Sequence, residues 1–207
     1  TTYNRDGIFT GWKDARLTKK GFKQANQIAK QLKKKKFQAG FYTSLTRSWQ
    51  TLKPVIKHHP ECVFLIRDDR MIERSYGDLE GMSHKQFIEE VGKKDIKFLK
   101  EKGDALENLA PKLKEQLENM LGKAEYKAIH RGYKIRPLNG ESFKDVEKRV
   151  KSFIKDLKRF MRKTNINVAI SAHGNSIRLF RKVMERLSKR ETEQLEIPYD
   201  KYFEYDV

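Results

Sequence analysis

With a single cysteine, Cys62, in 207 residues the chain has no internal disulfide. Set in Cys62-Val63-Phe64-Leu65-Ile66, the thiol reads as a strand residue in the core, and a reducing cytoplasm is the expected compartment. No stretch approaches the roughly 20 consecutive apolar residues that cross a bilayer. The five histidines show no paired Cys and no His-x-x-x-His spacing, so no metal is expected. A Walker-type glycine loop ending in Lys-Ser/Thr is missing, and so is any internal repeat. Acidic residues are scarce, 28 Asp and Glu against 46 Lys and Arg, for a formal net charge of +18. That imbalance admits nucleic acid, an acidic membrane surface or small anionic substrates as partners. The lysines cluster in 30–36 and 93–102 on helical faces, without the interleaved aromatics of single-strand binders. They read as solvated surface of the lysine-rich ion-pair type, which leaves small anions as expected partners in place of nucleic acid or membrane.

What is present is enough for one α/β domain over residues 1–207. Hydrophobic residues make up 37% and aromatics 11%, so a core can form beneath the charged surface. Apolar residues Phe22, Ala25, Ile28, Ala29 and Leu32 predict an amphipathic helix over 18–34. A short strand over 40–44 turns into a helix over 45–58, which Pro54 kinks or ends, and 63–67 is the next strand. Residues 68–82 carry glycines and charges with little periodicity and predict a loop. From 83 to about 127 the pattern is helical and charged, with breaks expected at Gly92, Gly103 and Gly122; the whole insertion, 83–136, has the composition of a lid over a site. Ser142 with Asp145 predicts an N-cap for a long helix carrying Phe143, Val146, Val150, Phe153, Ile154, Leu157 and Phe160 on one face. A strand over 166–173, a helix over 176–187 and a terminal strand over 202–207 complete the chain. Strands alternating with helices predict a mostly parallel sheet covered on both faces.

The segment Ser171-Ala172-His173-Gly174-Asn175-Ser176-Ile177-Arg178 carries the clearest chemistry. A strand end holds the imidazole of His173, Gly174 lets a ligand approach the backbone, and the free N–H groups opening the next helix favour an anion. Alone, it is equally a strand-to-helix turn with a hydrogen-bonded histidine. It follows Phe9-Thr10-Gly11-Trp12-Lys13-Asp14, then Thr43-Ser44-Leu45-Thr46-Arg47-Ser48, then Glu73-Arg74-Ser75-Tyr76-Gly77-Asp78-Leu79-Glu80-Gly81. Arg47, just past a strand end, can grip two phosphate oxygens with its planar fork. Against that stands a plain surface arginine, and against a role for Glu73 an ordinary loop ion pair with Arg70 or Arg74. His58 and His59 close a helix.

Taken in this order, the four motifs resemble the histidine phosphatase superfamily, and within it the cofactor-dependent phosphoglycerate mutases, from Thr1 to about Tyr205. The resemblance implies a mutase-like α/β fold and a cytoplasmic isomerase of glycolysis and gluconeogenesis. Such an enzyme would interconvert 3-phosphoglycerate and 2-phosphoglycerate through a phosphohistidine primed by 2,3-bisphosphoglycerate, without a metal and with a homo-oligomer as an admissible state. His173 would hold the phosphate, Arg47 would grip it, and Glu73 would be the general acid/base. Thr1 would lie near the phosphate; Asn4, Thr10, Gly11, Tyr76, His84, Gly174 and Asn175 would line the substrate site. Arg131 would bind the substrate carboxylate, with His130 in the place of a second arginine. The family's nucleophilic histidine lies in an Arg-His-Gly-Glu run ahead of a Thr/Ser and an Asn. Thr1 to Asn4 look like the residues after that run, so the first strand and the nucleophile are expected upstream of Thr1, and the chain as given is expected to be inactive and poorly stable. A phosphohistidine-dependent phosphomonoesterase of the same superfamily is the alternative, suggested by His130 and Glu80; a noncatalytic basic nucleic-acid-binding protein is the third reading.

Overall fold

The computed structural model describes residues 1–102 and 109–207. After a short α1 (Thr2–Arg5), α2 (Lys19–Leu32) starts from an N-cap at Thr18, whose hydroxyl accepts from the Gly21 N–H. The parallel sheet has the order β2-β1-β3: β1 (Ala39–Tyr42) lies between β2 (Phe64–Arg67) and β3 (Val168–Ile170), with Ala39 opposite both Phe64 and Val168. Parallel neighbours require crossovers, and α3 (Thr46–Ile56) supplies the one from β1 to β2. Pro54 lies inside the last turn of α3 without breaking it.

Successive strand side chains alternate between faces, and the core divides accordingly. Ala39, Phe41, Ile66, Val168 and Ile170 pack on one side against α6 (Phe143–Thr164) and α7 (Gly174–Met184), through Val146, Val150, Phe153, Leu157 and Leu179. On the other side Tyr42 and Ala169 meet α2 and α3 through Ala29, Leu52, Val55 and the buried Cys62. The expected α/β class, with helices on both faces, is observed. α6 carries the expected cap: the Ser142 hydroxyl accepts from Asp145 N–H and the Asp145 carboxylate accepts from Ser142 N–H. Burial of its apolar stripe outweighs the modest helix propensity of its β-branched and aromatic members.

Several boundaries differ from expectation. β3 stops at Ile170 and α7 opens at Gly174, so His173 is an N-cap and not the end of a strand. β2 is an edge, which leaves Val63, Phe64 and Leu65 at 68%, 55% and 42% exposure where a core strand was expected. Residues 202–207 form no strand, because among the described residues β3 pairs only with β1. Side chains pin the segment instead: Lys35 to Glu204 at 2.8 Å, Arg181 over the Phe203 ring at 4.2 Å, and Tyr205 to Glu185.

Two of the expected helix breaks are packing sites. α4 (His84–Glu101) and α5 (Pro111–Arg131) form a hairpin in which Gly92 and Gly122 lie inside the helices. A Cβ at Gly92 would come within 2.0 Å of the Glu118 carbonyl oxygen, and one at Gly122 within 2.0 Å of that of Ile88. Glycine here serves close approach of two backbones. Gly103 lies outside the described residues. The hairpin stands on the rest of the domain through Phe9, Tyr76, Phe87 and Ile129, with Tyr126, Ile88 and Val91 packed around them. α8 (Lys189–Gln194) follows α7.

Candidate active site

The carboxyl end of β1 and the segment after β3 bring Thr43, Arg47 and His173 together. His173 is 5% exposed. Its Nδ1 accepts from Arg47 Nε at 3.2 Å, and because a guanidinium only donates, this ring nitrogen carries no proton. Nε2 therefore holds the hydrogen and donates to Thr43 Oγ1 at 2.7 Å. Burial first, then Arg47 and Arg149, push the imidazole well below its usual pKa. His173 is thus neutral at physiological pH and donates from a single nitrogen.

Arg47 is buried in the first turn of α3 and is no surface arginine. Its Nη1 donates to Lys13 O at 2.8 Å and its Nη2 to Gly11 O at 2.7 Å. With Nε on His173, one N–H on each Nη stays available for an anion. Gly11 takes a left-handed φ of 48°, and a side chain there would collide with Glu80. One oxygen of Glu80 accepts from Trp12 N, Ser75 Oγ and Tyr76 N, each at 3.0 Å, which locks the 10–12 turn to the 73–81 loop.

Glu73 meets this cluster from the opposite side. Its Oε1 accepts from Arg74 N at 2.8 Å and from Asn175 N at 3.1 Å, so the carboxylate sits on the N-terminus of α7, where the helix dipole favours an anion. No ion pair with Arg70 holds it, since Arg70 pairs with Asp68 and Asp156. Arg149 fixes the loop behind it by donating to the carbonyls of Arg70, Ile72 and Glu73, and Trp12 Nε1 donates to Glu73 O at 2.7 Å. His173, Arg47 and Glu73 therefore converge.

Asn175 joins this cup to a second group of side chains. Its Nδ2 lies 3.5 Å from Tyr76 Oη, and its Oδ1 accepts from Arg178 Nη1. Tyr76, buried and pushed up to about 12 chiefly by that burial, is 3.1 Å from His130 Nδ1. Arg178 also donates to Leu195 O at 2.9 Å, and burial followed by Arg131 lowers it to about 10. Among the described residues, Arg131 Nη1 is buried without a hydrogen-bond partner. Burial, then Arg131, then His84 hold His130 at about 3, so it is uncharged beside these arginines. His84 faces Phe9 and Tyr126 in the aromatic cluster, and burial lowers it too. Asn4 Oδ1 accepts from Thr10 Oγ1 at 3.4 Å, while Asn4 Nδ2 reaches Tyr199 Oη. Thr1 caps α1, its hydroxyl accepting from Asn4 N–H at 3.2 Å, and Gly174 opens α7 beside Glu73.

Thr43, Arg74, Arg149 and Arg178 carry much of this geometry and were not singled out from sequence as site residues, and Glu80 was read there only as a sign of a phosphomonoesterase. Most of their partners are backbone atoms or residues far along the chain, which leave no spacing to read. Among the described residues no three His, Cys, Asp or Glu side chains form a metal site, and no helix is long and apolar enough to cross a membrane.

The two neutral buried histidines set an acid limit on folding. Both have folded pKa values below the unfolded value of about 6.5, so the unfolded chain binds more protons as pH falls, and stability present above about pH 6.5 is lost below it. Each contributes a slope of about 1.4 kcal/mol per pH unit. Denaturant melts at pH 7.5, 6.5 and 5.5 are expected to show this fall, shallower in His130→Asn. A flat profile contradicts the neutral assignments.

A buried imidazole, a guanidinium and a carboxylate gathered around the start of a helix, at the carboxyl end of a parallel sheet, place the cup of this α/β protein where an anion is favoured. The family model for the histidine phosphatase superfamily (branch 1) matches residues 1–125 and 111–204, and the chain belongs to that superfamily of phosphoryl-transfer enzymes. It is 30% identical over 199 residues to a 2,3-bisphosphoglycerate-dependent phosphoglycerate mutase of Neisseria meningitidis serogroup C, covering 95% of this chain and 86% of the relative. A protein of the same description from Methanococcus vannielii is 31% identical over 200 residues, with 95% and 82% covered. Among solved structures, a mycobacterial glucosyl-3-phosphoglycerate phosphatase superposes with a TM-score of 0.66 at 20% identity, covering 94% of this chain and 79% of that one. Phosphoglycerate mutase from Bacillus anthracis gives 0.63 at 20% identity, with 90% and 76% covered. These structural likenesses support the fold.

Proposed function

We propose that this is the scaffold of a phosphoglycerate mutase that moves a phosphoryl group between the 3- and 2-positions of glycerate through a phosphohistidine, with 2,3-bisphosphoglycerate as primer. The observation that carries the reading is Asn175, which touches Glu73 through its backbone and Tyr76 and Arg178 through its side chain. Two cationic centres thus flank one residue: Arg47 on the phosphoryl side, and Arg131 with Arg178 on the other. That arrangement suits a small molecule with two anionic groups, a phosphate and a carboxylate, better than a simple phosphomonoester. The unpartnered Nη1 of Arg131 fits the second group of a bisphosphorylated primer equally well. When bound, the primer supplies the phosphoryl group that charges the enzyme.

In this reading Arg47 and the N–H groups opening α7 hold the phosphoryl oxygens, and His173 donates from Nε2 once Thr43 yields its place. Glu73, fixed by Arg149 and Trp12 through its backbone, exchanges a proton with the substrate hydroxyl. None of the five histidines has the nucleophile's neighbourhood: His58 and His59 follow α3, and His84 and His130 lie in the aromatic cluster. A phosphomonoesterase is the second reading, favoured by the uncharged His130 where the mutases carry an arginine. The 207-residue chain is expected to bind phosphate at the cup without turnover. A polypeptide in which the family's first strand and Arg-His-Gly segment precede Thr1 is expected to isomerise 3-phosphoglycerate when 2,3-bisphosphoglycerate is added. Brisk hydrolysis of generic phosphomonoesters without isomerisation would select the phosphatase; sustained turnover by the 207-residue chain would overturn the assignment of the nucleophile.

A further inference from the structure

From Ala15 to Pro60 the sequence contains no aspartate or glutamate, while it contains twelve lysines and arginines. Folding concentrates that bias on one side of the sheet, because α2 and α3 pack against each other in a single layer. Arg47 turns inward to the site. Arg16, Lys19, Lys20, Lys23, Lys30, the lysines at 33–36, Lys53 and Lys57 are all exposed. Of these only Lys35 has a carboxylate within 4 Å among the described residues, Glu204 in the C-terminal segment that also carries Asp200 and Asp206. The other acids nearby are engaged elsewhere: Asp6 with Arg5, Asp14 with Thr46, Glu61 with His59.

An ion-pair network, the explanation that the composition suggested, is therefore not what these lysines form. Like charges at i and i+4, as at Lys19 and Lys23, destabilise a helix by a few tenths of a kcal/mol each. Among the described residues, the contact from Lys35 to Glu204 is the compensation that the layer receives. Lys19, Lys23 and Lys30 share one face of α2 and extend over about 17 Å of helix. Exposed Asn26 and Gln27 lie along the same helix, and the lysines at 33–36 prolong the row past its end.

We infer that the α2–α3 face is a docking surface for double-helical nucleic acid, engaged through the phosphate backbone and without sequence preference. A row of lysines with amide side chains between them suits a rod of phosphates and sugars. A protein partner would need a desolvated apolar or aromatic centre, and a membrane would need apolar side chains to insert; on α2 only Phe22, 43% exposed, is of that kind. This surface is separate from the phosphoryl site and does not rest on the mutase reading.

The test is fluorescence anisotropy of a labelled 24-base-pair duplex of mixed sequence, in RNA and DNA forms, titrated with the 207-residue chain at several salt concentrations. Binding is expected to weaken linearly in log–log form with salt. The triple variant Lys19→Gln/Lys23→Gln/Lys30→Gln is expected to lose about tenfold or more in affinity and to show a slope shallower by about 3. Its melting temperature should be unchanged or higher, since repulsion is relieved. A second variant, Lys93→Gln/Lys94→Gln/Lys97→Gln, removes the same charge from α4 and is expected to bind nearly as the parent does. Equal losses in the two variants would mean that net charge alone attracts the duplex, and would overturn the inference. So would absence of binding at 50 mM salt, or capture by phosphatidylserine vesicles without capture of the duplex.

Discussion

Replacing Arg74 by alanine is expected to destabilise the fold by about 4 kcal/mol. The side chain is 0% exposed. Nε donates to Glu141 O at 2.6 Å, Nη1 to Ile129 O at 2.9 Å, and Nη2 to Ile135 O at 3.0 Å. Its guanidinium also lies over the rings of Tyr76 and Phe143, 5.1 Å from each centroid. Ile129 belongs to the last turn of α5, whose carbonyls have no partners within the helix. Arg74 caps that helix from a distant loop, so its loss leaves buried carbonyls unsatisfied and opens space beneath Tyr76. Arg74→Met, which keeps most of the volume, separates the two effects: the part of the loss that remains belongs to the hydrogen bonds. Denaturant midpoints measure both variants, and a loss below 1 kcal/mol for alanine would refute the capping role.

Arg47→Lys is expected to weaken binding of inorganic phosphate or vanadate by about 100-fold, equivalent to about 3 kcal/mol, with the charge conserved. A lysine has one nitrogen for the three partners that Arg47 now serves on Gly11, Lys13 and His173. It also lacks the fork that offers two parallel N–H groups to an anion. The imidazole of His173 should stay depressed, since burial and a positive charge at position 47, its largest causes, both persist in the variant. Calorimetric titration with phosphate measures the affinity, and a proton NMR titration in which His173 stays depressed shows that the variant is folded, since unfolding would return the ring to its ordinary range. Unchanged affinity would mean that positive charge alone holds the ligand.

Much of the architecture was legible because its signals are local. The stripe on α6 and the Ser142–Asp145 cap depend on residues within a few positions of each other, and so does the turn from β1 into α3. The Gly92 and Gly122 positions misled, since a glycine that admits a neighbouring backbone looks in sequence like one that ends a helix. The terminal strand over 202–207 failed for another reason: alternation can propose a strand, but a ladder needs a partner. In the site, His173, Arg47 and Glu73 announced themselves through residue type at strand and loop ends. Arg74 and Arg149 did not, because most of their contacts come from segments dozens of residues away.

The seating of Glu73 on the Asn175 N–H has a consequence for how affinity is to be understood. The protein carries its own rival for that amide, an acidic group already resident where an incoming anion would be welcomed. Any guest must win that seat from a tenant, so measured tightness is a difference between two occupants. The carboxylate that it displaces is left at its side, within reach of the oxygen that must next give up or take a proton.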